Sequence, residues 1–159
     1  MINPASSLCN LRCKYCFYKD ISDLRQVSSY GIMQEETVTE MLEHIYSCLK
    51  SGDGLTFAFQ GGEPVMAGLD FYRSFVEQVR RQKRGVSVTY ALPTHGTLLN
   101  EGWCRFFREN HFLIGISFDI LQEVHDETRV DEEGRGTYRK VLEVIGMLEQ
   151  HRVEYNVLC

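Results

Sequence analysis

The sequence predicts an α/β fold built from parallel strand–helix units, and three observations carry that prediction. Short segments rich in β-branched and aromatic residues alternate with longer segments of helical period along most of the chain. The strand segments are nearly continuous apolar runs, which predicts a sheet covered on both faces. Residues capable of chemistry fall directly after the strands, where βα architectures carry their working loops.

The elements can be justified in order. A stub of strand is expected around Ile2. Four fuller strands are expected at "LTFAF" (55–59), "VSVTYAL" (86–92), "FLIGISF" (112–118) and "VEYNVL" (153–158), each bounded by turn signals. Between them, Val38, Met41, Leu42, Ile45 and Leu49 share one face of a helix over 34–50. Tyr72, Phe75, Val76 and Val79 do the same over 70–83. Trp103, Phe106 and Phe107 mark a short helix after an Asn100 cap, and Val141, Val144, Ile145 and Leu148 mark one over 138–150. The expectation is about five strands and four helices. The first strand is barely present and the last stops at Cys159, which leaves a parallel sheet edge uncovered. Residues 1–159 are therefore expected to be an incomplete part of a larger barrel-like domain.

Composition excludes several classes. The chain has 159 residues, 43% hydrophobic and 25% charged, enough for one domain with a real core. Net charge is −5 and no basic stripe is present, so nucleic acid is not an expected partner. No run of about 18 apolar residues predicts a membrane span. No basic segment followed by an apolar one marks a signal peptide at the N-terminus. Cytoplasm is the expected compartment, and there clustered cysteines more often bind metal than form disulfides. Of the six cysteines, Cys48, Cys104 and Cys159 are isolated and are expected to be small core residues.

The other three stand together in "SLCNLRCKYCFYKD", after the first strand, as Cys9, Cys13 and Cys16. A structural zinc site wants four ligands, often as two paired knuckles, and no second knuckle follows. Thiolates are the usual ligands of iron–sulfur clusters. Three of them hold three corners of a [4Fe–4S] cube and leave one iron open for a substrate or cofactor. The competing reading is a zinc staple or buried thiols. Other strands end on "QGGEP" (60–64), on "THG" (94–96), and on Ser117 and Asp119, so four loops converge on one end of the sheet.

Cys9, Cys13, Tyr15 and Cys16 match the Cys-x3-Cys-x-aromatic-Cys signature of the radical S-adenosylmethionine enzymes. Together with "FAFQGGEP", "HGTLLNEGWCRFF", "IGISFD", "VHDETR" and "VEYNVLC", the chain resembles the anaerobic sulfatase-maturating enzymes over essentially its whole length. The resemblance implies a partial (β/α)6 barrel, here truncated, with a C-terminal auxiliary-cluster domain absent from the chain. It implies that the open iron binds the amino and carboxylate groups of S-adenosylmethionine. One electron then breaks the sulfonium bond, and the resulting 5′-deoxyadenosyl radical takes hydrogen from Cβ of a Cys or Ser in a sulfatase, leading to formylglycine. It implies a reducing electron donor such as flavodoxin or ferredoxin, and a catalytic acid/base that lies beyond Cys159.

Residue by residue, the resemblance assigns Gly62 and Glu63 to the methionine end of the cofactor. Glycine permits close backbone approach, and a carboxylate accepts hydrogen bonds from an ammonium group. The bland alternative is a plain turn before a helix. Tyr15 is placed near the adenine, with loop packing as its alternative. Ser117 and Arg129 are placed on cofactor oxygens, and the alternative for Arg129 is a surface ion pair with Asp126 or Glu127. Tyr18 and Gln60 adjoin these motifs as possible substrate contacts. His125 and Asp126 are expected to order their loop rather than do acid–base work. Two departures touch the same face. Pro93-Thr94-His95-Gly96 stands where the family usually has Gln-Thr-Asn-Gly, and Ile120-Leu121 follows Asp119 where it usually has Gly-Pro. Two other readings remain: a radical enzyme acting on another peptide, and an inactive iron–sulfur-binding fragment.

Overall fold

The computed structural model describes residues 1–82 and 85–159. Its sheet has four parallel strands, β1 (Gly54–Ala58), β2 (Ser87–Thr94), β3 (Phe112–Ser117) and β4 (Glu154–Leu158), in the spatial order of the sequence. Register runs Phe57 to Tyr90, Tyr90 to Phe112, and Ile114 to Tyr155. Sequential neighbours in parallel array are what right-handed βα crossovers produce. The expected first strand is reduced to a single parallel bridge, Ile2 to Phe59, in which the Ile2 N–H donates to the Ala58 carbonyl at 2.8 Å.

Six α-helices are present among the described residues: α1 (Phe17–Asp23), α2 (Glu35–Ser47), α3 (Leu69–Gln82), α4 (Glu101–Glu109), α5 (Gln122–Thr128) and α6 (Tyr138–Gln150). The four predicted helices are all among them. Residue 83, the expected end of the helix over 70–83, lies outside the described residues. The two additional helices, α1 and α5, have seven residues each, too few turns to show a period. Asn100 caps α4 as expected, its side chain accepting from the Trp103 N–H at 3.3 Å.

The helices cover one face of the sheet. Phe57, Phe59, Tyr90, Leu92, Phe112, Ile114 and Ile116 point into them and are buried. Aromatic rings dominate the contact: Tyr90 stacks on Phe112 at 4.7 Å between centroids, and Phe59 meets Tyr72 edge-on at 4.9 Å. The expectation of two covered faces is corrected here. On the opposite face Thr56 and Thr89 are exposed and share a hydroxyl hydrogen bond of 2.8 Å, Leu113 is exposed, and Ala58, Ala91 and Gly115 are half-buried. Apolar runs arose partly from small residues on this open side. Among the described residues β4 has β3 as its single neighbour, and Val157 and Leu158 are exposed on it.

Two local expectations also change. Of the isolated cysteines Cys104 is in the core, whereas Cys48 and Cys159 are exposed, one at the end of α2 and one past β4. And β2 continues through Pro93, although the strand was expected to end at Leu92. The Phe59 N–H donates to the Ala91 carbonyl at 2.9 Å, so Ala91 faces β1; alternation turns Pro93 to the same side, beyond the end of β1. Pro93 lacks the N–H that would reach the Phe59 carbonyl, so the ladder between the two strands ends there.

Candidate active site

The loop that carries the three cysteines hangs between two other segments. On one side, the Gly62 N–H donates to the Ser6 carbonyl at 2.9 Å and the Glu63 N–H to the Leu8 carbonyl at 2.7 Å. On the other, the Arg12 N–H donates to Val130 and the Lys14 N–H to Thr128, at 2.7 and 2.9 Å, and Leu11 bridges Asp131. The loop left by the strand stub is thus pinned by the loop after β1 and by the segment after α5. Gly61 and Gly62 make the first attachment possible. Gly61 has φ +135°, and a Cβ on Gly62 would stand 2.4 Å from the Leu8 carbonyl oxygen.

All ten residues singled out in the sequence line one cavity of about 210 Å³ at the C-terminal end of the sheet. The three thiols form one part of its wall. Tyr15, Tyr18, Gln60, Gly62, Glu63, Ser117 and Arg129 complete that set. Among the described residues no three His, Cys, Asp or Glu side chains converge closely enough to share one metal ion. A cluster whose irons each take one thiolate does not require that convergence. Burial pushes the Cys9 thiol up to about 11, against a smaller pull from the Leu11 N–H, and raises the Cys13 thiol, opposed mainly by Arg129. The Leu11 N–H lies 3.4 Å from Cys9 Sγ. Iron binding at these sulfurs must displace protons.

Arg129 is buried, and its partner is Asp119 rather than Asp126 or Glu127: Nε donates to Oδ2 at 2.7 Å. The guanidinium lies over the Tyr15 ring, 5.2 Å from its centroid, and Arg129 lines the cavity. Tyr15 itself is exposed, and the Tyr18 hydroxyl engages the Gly61 backbone. Glu63 is almost completely buried and caps the short 3-10 helix Pro64–Ala67; Oε1 accepts from Val65 N–H at 3.1 Å and Oε2 from His95 N–H at 2.9 Å.

His125 and Asp126 order the segment as expected, but from within α5. His125 is fully buried. Its Nδ1 accepts from the Asp119 N–H at 3.3 Å, so the proton sits on Nε2, which donates to Thr137 Oγ1 at 3.0 Å; Thr137 in turn donates to the Arg129 carbonyl at 3.0 Å. The chain holds both members of the Asp119–Arg129 pair. Asp126 accepts from the Tyr138 N–H at 2.9 Å at the start of α6. His95, Asn10 and Thr137 were not singled out as site residues. His95 carried a signal, its place in the loop after β2; Asn10 and Thr137 carried none.

The buried imidazoles give the site a pH dependence. Burial is the main cause that holds His95 and His125 below the ordinary histidine range. The unfolded chain then binds protons that the folded chain refuses, so stability is complete above about pH 6.5 and falls as pH drops below it. Asp119, held low chiefly by its hydrogen bond from Arg129, adds a second loss at more acid pH, as that carboxylate protonates. The melting midpoint is expected to fall between pH 7 and pH 5, and His125→Gln to flatten that slope. An unchanged slope would show that His125 titrates alike folded and unfolded.

The profile of the Radical SAM superfamily matches residues 4–158. The chain belongs to the Radical SAM superfamily. This is a family of enzymes whose cofactors are a [4Fe–4S] cluster and S-adenosylmethionine. Among curated relatives, a cysteine-type anaerobic sulfatase-maturating enzyme of Clostridium novyi (strain NT) is 43% identical over 159 residues, 99% of this chain and 42% of that enzyme. A serine-type anaerobic sulfatase-maturating enzyme of Bacteroides thetaiotaomicron is 35% identical over 159 residues, 100% of this chain and 38% of that enzyme. Among solved structures, native anSMEcpe with bound AdoMet and the Kp18Cys peptide superposes with a TM-score of 0.89 at 39% identity, covering 99% of this chain and 41% of that one. This radical SAM chain thus spans about two fifths of the length of the relatives it matches. No described helix is long and apolar enough to cross a membrane.

Proposed function

We propose that this chain forms the cofactor-binding part of an anaerobic sulfatase maturase, which oxidises a Cys or Ser of a sulfatase to formylglycine. The observation that carries the reading is the single cavity shared by three thiols, the buried Glu63 carboxylate and the buried Arg129 guanidinium. The donor set fits the cofactors: Cys9, Cys13 and Cys16 supply three sulfur ligands, and Glu63 and Arg129 offer charges opposite to an ammonium and a carboxylate. Bound there, cluster and S-adenosylmethionine supply a one-electron cleavage that yields a hydrogen-abstracting radical.

The residues of the chain have distinct tasks in this proposal. Glu63 accepts from the cofactor's ammonium group at the end of a loop that Gly61 and Gly62 bring against the cysteine segment. Arg129, held by Asp119 and Tyr15, pairs with the cofactor's carboxylate. Ser117, at the end of β3 and lining the cavity, donates to a cofactor oxygen, and Tyr15 packs against the adenine. Tyr18 and Gln60 lie on the peptide's side. The substrate's proton is taken by a group outside this chain, in the part of the maturases that continues past it, together with auxiliary clusters. A cytoplasmic flavodoxin or ferredoxin delivers the electron. A second reading, a radical enzyme for another peptide, draws on Ile120 and Leu121. Both are strongly exposed beside Asp119, where the family usually has a tight Gly-Pro turn.

The test is anaerobic reconstitution with iron and sulfide. About four irons per chain are expected, with a reduced EPR spectrum that changes on adding S-adenosylmethionine. The chain joined to the rest of its maturase should then convert a sulfatase-derived Cys or Ser peptide to the aldehyde, read by mass. Cofactor cleavage without aldehyde on either peptide selects the second reading. A cluster that ignores the cofactor reduces the chain to an iron–sulfur-binding fragment, and zinc without sulfide would revive a zinc module.

A further inference from the structure

The loop after β2 places a buried histidine between two parts of the cavity wall. His95 is 7% exposed and Glu63 is 1% exposed. Burying an imidazole is costly unless both ring nitrogens find partners. Here both do: Nδ1 within its own turn, and Nε2 on segments far apart in sequence. Nδ1 accepts from the Thr97 N–H at 3.1 Å, with the Thr97 hydroxyl also 3.1 Å away. The proton therefore sits on Nε2, which lies 3.1 Å from Glu63 Oε2 and 3.0 Å from Asn10 Oδ1. Asn10 Nδ2 closes the ring by donating to Thr97 Oγ1 at 3.3 Å. Asn10 directly follows Cys9.

We infer that His95 is a positioning residue that joins the Glu63 carboxylate to the cysteine loop through Asn10, so that the cofactor-ammonium side and the cluster side of the cavity are held as one unit. The role assigned to Glu63 rests on the proposed function; the mechanical link does not. One Nε2–H shared between two acceptors fixes their separation. The Thr97 turn fixes the ring. Backbone bonds from Gly62 and Glu63 to Ser6 and Leu8 already bring the two segments together; His95 adds the side-chain attachment on the far side of Cys9.

The link can be tested on the cluster-free chain under reducing conditions, by iodoacetamide labelling of individual cysteines read by mass spectrometry. Exposed Cys48 is the reference for reagent, and core Cys104 reports opening of the whole fold. His95→Ala should raise labelling of Cys9 about fivefold or more with Cys104 unchanged, as a local opening does. His95→Gln, which keeps an N–H donor, should return Cys9 toward the parent rate. Asn10→Ala should act as His95→Ala does, and the double variant should exceed neither single, because both cut one connection. Additive effects, or an unchanged Cys9 in both single variants, would overturn the proposal. If His95→Ala also exposes Cys104, His95→Gln and Asn10→Ala decide it by the same criterion. In the reconstituted chain, His95→Ala should raise about tenfold the S-adenosylmethionine concentration that changes the EPR spectrum, at constant iron content. A Cys9 effect without that change keeps the link and removes the role given to Glu63.

Discussion

Cys13→Ala is expected to lower bound iron from about four per chain to below one after anaerobic reconstitution, and to abolish the response to S-adenosylmethionine. Ligand number sets this loss. Three thiols line the cavity, and the other three cysteines are elsewhere: Cys104 in the core, Cys48 and Cys159 exposed. None of these lines the cavity, so the loss has no substitute there. Cys13 also sits in the segment whose neighbours, Arg12 and Lys14, are bonded to Val130 and Thr128, so its backbone is held independently of iron. The variant should therefore fold. Cys48→Ala is the matched control and should bind iron as the parent does. Equal iron in Cys13→Ala and the parent, or equal loss in both variants, would refute the ligand assignment.

Gly62→Ala should be strongly damaging, through one methyl group in the loop after β1. The added Cβ would lie 2.4 Å from the Leu8 carbonyl oxygen and 2.6 Å from the Ser7 carbonyl group. These are backbone atoms, which cannot swing aside as a side-chain end does. The loops must separate, breaking the bonds from Gly62 to Ser6 and from Glu63 to Leu8. A cost of about 3 kcal/mol is expected, or roughly 6–12 °C in melting midpoint for a domain of this size. Cluster retention should fall with it, because Leu8 precedes Cys9. Gly134→Ala offers a contrast: its φ is +77°, yet nothing lies within 4 Å of its Cβ position, so only local strain is expected and iron uptake should be unchanged. A Gly62→Ala protein as stable and as iron-competent as the parent would show that the close approach is not needed.

Much of this was readable in the chain itself. Helical period marked the buried faces of α2, α3, α4 and α6, because a face that meets a core must repeat every 3.6 residues. The spacing of Cys9, Cys13 and Cys16 set the number of candidate ligands, since that spacing is local and needs no fold to be counted. The position of the motifs after strands, together with the family resemblance, singled out ten candidate residues, and they line one cavity at one end of the sheet. Parallel βα topology is what converts chain order into that convergence.

Other features depended on contacts between distant segments, and no local pattern records those. Residue type alone did not separate core Cys104 from exposed Cys48 and Cys159. Arg129 had acidic neighbours in sequence, yet the partner that holds it is Asp119, brought near by the turn of α5 and its His125–Thr137 hydrogen bonds. His95 meets Asn10 across 85 residues and Glu63 across 32. Periodicity and spacing determined which residues are buried and which loops carry chemistry, because both follow from geometry within a few turns of chain. Strand register and crossover packing decided which of those residues touch, and so built the wall that joins Glu63, His95 and the cysteine loop.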